Sequence, residues 1–234
     1  MAGSRQQGRT DAPPHRWSVL VSAIWVAACT SGPAPQPEPP ADPKPAITPA
    51  AGGSETLLFD GRQLGHWAAS EFGGEGAVRI DNDNLILEMG NDLTGVHWRG
   101  PLVKMNYEIT LEAMRVQGHD FFCGLTFPVG DDPCTLIVGG WGGALVGLSS
   151  LNGYDASEND TTTALRLEND RWYRIRLRVT EERIQAFIDD TRLINIATGD
   201  YEYSIRYEVE PSQPLGFASW RTTAALRHIK LKKL

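Results

Sequence analysis

An all-β fold, a two-sheet antiparallel β-sandwich, is what the 234-residue sequence predicts, and three observations carry that reading. Beyond residue 55 the dominant side-chain period is two: Tyr173, Ile175, Leu177 and Val179 alternate with Arg174, Arg176 and Arg178, which buries one face and wets the other. Turn-forming clusters of Gly, Asn, Asp and Pro recur at short intervals. No window sustains the apolar spacing of three and four that a helix needs.

Residues 1–28 read as an address. Arg5, Arg9 and Arg16 precede an apolar stretch from Trp17 to Ala28, too short for a permanent bilayer helix, which needs roughly twenty residues. The stretch ends in Val26-Ala27-Ala28-Cys29. These four residues resemble the bacterial lipobox, in which the cysteine receives the lipid, so Cys29 is the expected lipidation site; ordinary cleavage after an Ala-x-Ala-like site is the alternative. A lipid anchor on Cys29 implies the cell envelope, and Thr30 in the next position resembles the outer-membrane signal of enteric bacteria. Membrane contact is expected through this anchor only.

Residues 29–54 read as a tether. Ten of the fifteen prolines lie before residue 50, and this segment has almost no bulky apolar residue, so it cannot bury enough surface to fold. Polyproline II, at about 3.1 Å per residue, makes it a spacer.

Residues 55–234 form the sandwich domain. Strands are expected at 56–59, 77–80, 85–89, 95–98, around 107–111, and at 121–127, 135–138, 145–148, 164–167, 171–180, 183–188, 193–196, 205–209, 215–219 and 225–231. Hairpins turn at Glu181-Glu182 and Asp189-Asp190. Short, uneven strands favour two packed sheets over a closed barrel.

The net charge of −7 excludes a nucleic-acid partner as the leading reading, since phosphate binding needs a basic surface. The first 28 residues are net positive, so the remainder is more acidic still. Neutral sugars would not feel that charge.

Leu58-Phe59-Asp60-Gly61 followed by Leu64 and Trp67, Arg171-Trp172-Tyr173, Pro214-Leu215-Gly216-Phe217 and the run from Ala225 to Leu231 resemble the 3-keto-disaccharide hydrolase domain family. The resemblance implies a concanavalin A-like jelly roll with a carbohydrate site on its concave sheet, and a saccharide as partner. Members commonly carry an Asn-Ser-Gly-Ile-type segment ending in Arg on the middle strand, where this chain has His119-Asp120-Phe121-Phe122-Cys123-Gly124-Leu125-Thr126-Phe127. Fold therefore carries over more firmly than activity.

Candidate catalytic residues are His119, Asp120 and Glu158. A base at His119 or Asp120 would remove the proton beside the ketone of a 3-keto sugar while another group stabilises the enolate; a turn pair is the bland alternative. A glycosidase needs two carboxylates, so Glu158 with Asp120 or Asp155 is the pairing to test. Asp155 and Asn159 lie in the densest polar run of the body, which a solvated loop would also explain. Trp141, flanked by Gly139-Gly140 and Gly142-Gly143, has the bare backbone that lets a sugar ring approach an indole. Trp220 and Arg221, just past a strand end, are a second aromatic and polar pair, whereas Trp67, Trp98 and Trp172 suit packing. No cofactor is implied: the polar run lacks the spacing of a calcium loop, and two cysteines with scattered histidines lack that of a zinc site, leaving a divalent metal without sequence support. Cys123 and Cys134 lie on two arms of one hairpin; a turn about Pro128-Val129 would pair them in a disulfide, and one about Gly130-Asp131 would separate them.

Overall fold

A computed structural model describes residues 54–234. The expected leader, the expected lipidation site Cys29 and the expected tether up to residue 53 lie outside the described residues. Fifteen strands run β1 Glu55–Leu57, β2 Trp67–Ala69, β3 Val78–Asp81, β4 Asn84–Leu87, β5 Leu93–Trp98, β6 Tyr107–Gln117, β7 Cys123–Val129, β8 Asp132–Gly139, β9 Leu145–Ser149, β10 Thr163–Ala164, β11 Tyr173–Val179, β12 Arg183–Ile188, β13 Thr191–Ala197, β14 Gly216–Trp220 and β15 Thr223–Lys233. They form two antiparallel sheets. One has the order β13-β12-β11-β6-β15-β4-β3 with β1 added on β15, and the other β10-β9-β8-β7-β14-β5-β2. This is the expected jelly-roll sandwich.

The two sheets differ in what covers them. On β6 of the eight-stranded sheet the alternation is clean: Tyr107, Ile109, Leu111 and Ala113 are buried, and Glu108, Thr110 and Glu112 between them are less so, while Leu85–Leu87 on β4 and Ala224–Leu226 on β15 are buried at every position. Its outer face meets solvent. In the seven-stranded sheet, β7 is buried at every position and β9 and β14 at all but one. There the inner face supplies the main core, with Leu125, Phe127, Leu136, Val138, Leu148 and Phe217 packed against Tyr107, Ile175 and Leu177 from the other sheet. Its outer face is covered by loops, and a small second cluster of Leu93, Val209 and Ala218 lies on that side.

Glycines on the outer face admit those loops. A Cβ on Gly147 would come within 2.9 Å of the Ala156 carbonyl, and one on Gly124 would press the Phe121 ring at 3.0 Å. The polar run at 155–161 therefore lies against β9 rather than standing free in solvent.

Several expectations change. Residues 205–209 do not form a strand: Tyr207–Ser212 is a 3-10 segment, in which Val209 is buried and Tyr207 exposed. Ile205 and Val209, four apart, satisfy a helical turn as well as a strand, and Pro211 has no N–H for a ladder. The middle strand begins at Cys123 rather than Phe121, and Trp67–Ala69 adds a short strand. The disulfide is absent. Val129 pairs with Asp132, which puts the turn at Gly130-Asp131, and Cys123 lies opposite Val138 while Cys134 lies opposite Phe127. Four residues of offset at about 3.3 Å each exceed the reach of a disulfide by a wide margin. Both thiols are free and buried.

Candidate functional site

The loops over the seven-stranded sheet enclose a cavity of about 270 Å³. Its floor is the outer face of the sheet: Leu93 on β5, Trp220 on β14, Thr135 and Ile137 on β8, and Ser149 on β9. Asp120 and Phe121 come from the β6–β7 connection, Trp141 from the β8–β9 turn, and Arg206, Glu208 and Val209 from the segment before β14.

Trp141 is 47% exposed and sits in a left-handed turn, with φ of 48° at Trp141, 86° at Gly142 and 106° at Gly143. Left-handed backbone favours glycine, which explains the glycine-rich run, and makes a tryptophan there an outlier held by its surroundings. Asp120 supplies one hold: its Oδ2 accepts from the Gly142 amide at 3.1 Å, and its Oδ1 from the Phe121 amide at 2.8 Å. Arg115 supplies another from beneath. Its guanidinium donates to the carbonyls of Asp120 (3.1 Å), Leu167 (3.2 Å) and Gly143 (2.8 Å) and to Asn169 Oδ1 (3.3 Å). Arg115 is only 4% exposed, and its burial lowers its affinity for the proton, opposed by the Asp120 charge. A single buried cation thus fixes both loops that carry Asp120 and Trp141.

On the other wall Arg206 bridges two carboxylates, donating to Asp155 Oδ2 at 3.0 Å and to Glu208 Oε1 at 2.7 Å. Burial pushes the Glu208 carboxyl up, but its hydrogen bond from Arg206 and that cation's attraction prevail, and it ends below the usual carboxylate range. Asp155 ends low in the same way: burial is opposed by donation from Ser157 and by Arg206. Glu208 Oε2 is buried and has no hydrogen-bond partner among the described residues. Such an oxygen is costly to leave unmatched.

Of the residues singled out in the sequence, Asp120, Trp141 and Trp220 come together in this cavity. Asp155 reaches it only through Arg206. Glu158 is exposed and does not line the cavity, so its pairing with Asp120 is not formed there; its amide closes a turn on the Asp155 carbonyl. Asn159 is fully engaged in building its loop, donating to the carbonyls of Leu148, Tyr154 and Asp155. His119 is exposed and outside the lining. Arg221 turns to Asp92 at 2.6 Å. Trp67 and Trp98 are core residues, as expected. Sequence reasoning misses Arg206, Glu208 and the buried Arg115. The alternating spelling of 205–209 disguises the first two as strand positions, whereas Arg115 continues the inward register of Tyr107, Ile109, Leu111 and Ala113, a period-two signal that could have found it. Among the described residues no cluster of three or more His, Cys, Asp or Glu side chains is arranged to hold a metal ion.

The model of the 3-keto-alpha-glucoside-1,2-lyase-like domain matches residues 54–232. The chain belongs to that family. The family match covers both sheets and every wall of the cavity. No protein of curated function matches the sequence. Among solved structures, this lyase-like domain is similar to the Crh5 transglycosylase in complex with NAG (12% identity, 79% of this chain and 85% of that one, TM-score 0.55). It is also similar to a Bacillus subtilis protein of unknown function with a galectin-like fold (12% identity, 77% and 94%, TM-score 0.54). A third is the exoplasmic/lumenal domain of VIP36 bound to Ca2+ and Man3GlcNAc (12% identity, 76% and 87%, TM-score 0.50). At such identities these likenesses speak to the fold. Together with the family match they make the lyase-like domain a glycosyl hydrolase-like or lectin-like sandwich.

Proposed function

We propose that the cavity binds a saccharide and that the domain cleaves a 3-keto-glycoside in it. One observation carries this reading: two tryptophans, two carboxylates and a guanidinium, Trp141, Trp220, Asp120, Glu208 and Arg206, converge on a single cavity from four stretches of chain. Sugar rings stack their C–H faces on indoles, and carboxylates and guanidinium groups take up their hydroxyls. In a 3-keto sugar the carbonyl acidifies the proton on C2. Glu208, which lines the cavity and is held ionised by Arg206, takes that proton. The electron pair left on C2 forms the enolate, Arg206 stabilises its oxygen, and collapse of the enolate expels the C1 substituent with its bonding electrons. The family's description and the solved relatives that carry sugar ligands support a saccharide as partner.

A second reading keeps the sugar and drops the chemistry. Both oxygens of Asp120 already accept backbone amides, which suits a carboxylate that shapes the wall of a binding module. Incubation of the purified chain with native and 3-keto disaccharides, with and without divalent metal, separates the two. Product from the 3-keto sugar, abolished in Glu208→Gln, supports the lyase reading; saturable binding without product supports the module; neither binding nor product refutes both. The leader supports placing the domain in the cell envelope on a lipid at Cys29, and incorporation of labelled fatty acid, lost in Cys29→Ser, tests that placement.

A further inference from the structure

The outer face of the eight-stranded sheet lies on the far side of the sandwich from the cavity, and it is built around two columns of cations. Arg174, Arg176 and Arg178 on β11 stand opposite Glu112, Thr110 and Glu108 on β6. Across β6 the same rows continue into Arg227, Lys230 and Lys232 on β15. With neighbouring strands about 4.8 Å apart, the columns run about 10 Å from one another. Arg192 on β13, opposite Phe187, extends the basic face outward.

Part of this charge is matched within the sheet. Arg174 pairs with Asp190, Arg176 with Glu108, Arg227 with Glu112 and Lys230 with Glu55. Arg178, Arg192 and Lys232 make no ion pair among the described residues, on a chain whose net charge is −7. Exposed leucines border the same columns. Leu57, 54% exposed, lies opposite Lys230, and Leu234, 44% exposed, follows Lys232 and Lys233. Strand β1, which holds Leu57, is also where the preceding 53 residues join the sandwich.

We propose that this face docks on an anionic phospholipid surface, its cations on headgroup phosphates and Leu57 and Leu234 at the hydrocarbon boundary. Cations beside exposed leucines suit a bilayer interface, where both find partners, better than a hydrated polyanion, which engages only the charges. The cavity then opens away from the membrane, and a lipid on Cys29 would act with the sheet as a second attachment signal. Membrane docking of this kind is independent of whether the cavity performs chemistry.

The test is co-sedimentation of the full chain with phosphatidylglycerol and with phosphatidylcholine vesicles, for the parent, for Arg178→Gln/Arg192→Gln/Lys232→Gln, and for a control that removes equal charge elsewhere, Arg62→Gln/Lys104→Gln/Arg166→Gln. The leader is common to all three, so differences report on the body. Circular dichroism confirms that each is folded. The sheet variant should lose at least tenfold in partitioning to phosphatidylglycerol vesicles in low salt, the control should lose less than threefold, and the gap should close as salt is raised. Equal losses in the two variants, or no loss in the sheet variant, overturn the proposal. So does a sheet variant that keeps vesicle binding but loses retention on an acidic polysaccharide, which would make the partner a soluble polyanion.

Discussion

Asp120 Oδ2 accepts a hydrogen bond from the backbone amide of Gly142 at 3.1 Å, and this contact joins the carboxylate of one cavity wall to the turn that presents Trp141. Asp120 is thereby a structural acceptor as well as a lining residue. Asp120→Asn retains one acceptor oxygen and exchanges the other for a donor that faces an amide. Loss of one partly exposed bond to a charged group costs about 1 kcal/mol, or about 2–4 °C in melting temperature for a domain of this size. A melting curve should show that shift, and a titration with the 3-keto disaccharide should show weaker binding than the parent; unchanged affinity would mean that the turn keeps its place without Asp120.

Trp141 separates binding from stability. Its left-handed φ of 48° opposes folding by about 1 kcal/mol, and its ring is half exposed. Trp141→Gly should therefore leave the melting temperature equal or higher while weakening saccharide binding about tenfold or more. Titration calorimetry beside a thermal melt reads both quantities. A destabilised variant with intact binding would reverse the assignment.

Arg206 sets the acid response of the cavity wall. Glu208 and Asp155 have folded pKa values below their ordinary 4.5 and 3.8, so each contributes stability that is present above the ordinary value and is lost as pH falls through the lowered one. Melting temperature should thus fall as pH drops from about 5 toward 3. Arg206→Gln removes the cation both depend on, so its melting temperature should decline less steeply over that window. Parallel curves for parent and variant would contradict the linkage.

The two thiols provide a check on strand register. Burial pushes Cys123 and Cys134 up to about 12. Intact mass should be the same before and after reduction. A thiol reagent should leave both unmodified in the native chain on the timescale that labels them in denaturant. Rapid native labelling, or a two-dalton change on reduction, would mean that the β7–β8 hairpin turns elsewhere.

What was legible in the sequence follows from which faces meet water. Arg174, Arg176 and Arg178 announce β11 because one side of the eight-stranded sheet is solvated, so polar and apolar residues must alternate. On β7 both faces are covered, and Cys123 to Val129 reads only as a continuous apolar run from which register cannot be taken. The cavity was half visible for a related reason. Trp141 stands out among glycines, whose left-handed turn has a compositional signature, and Trp220 stands at a strand end. Glu208 and Arg206 reach the cavity from a 3-10 segment and the extended residue that precedes it, a stretch spelled like a strand. Glu158 misled in the opposite sense: a dense polar run signals a built loop, and here Asn159 spends its amide on three carbonyls of that loop.

The proposed function puts a sugar ring in the cavity between Trp141, Trp220 and Glu208. Diffraction from crystals of the Glu208→Gln chain soaked in a 3-keto-glucoside tests it most directly. The predicted result is ring density against an indole of Trp141 or Trp220, with a sugar atom at hydrogen-bond distance from the substituted side chain at position 208. Density on another face of the sandwich, with this cavity left to water, would contradict it.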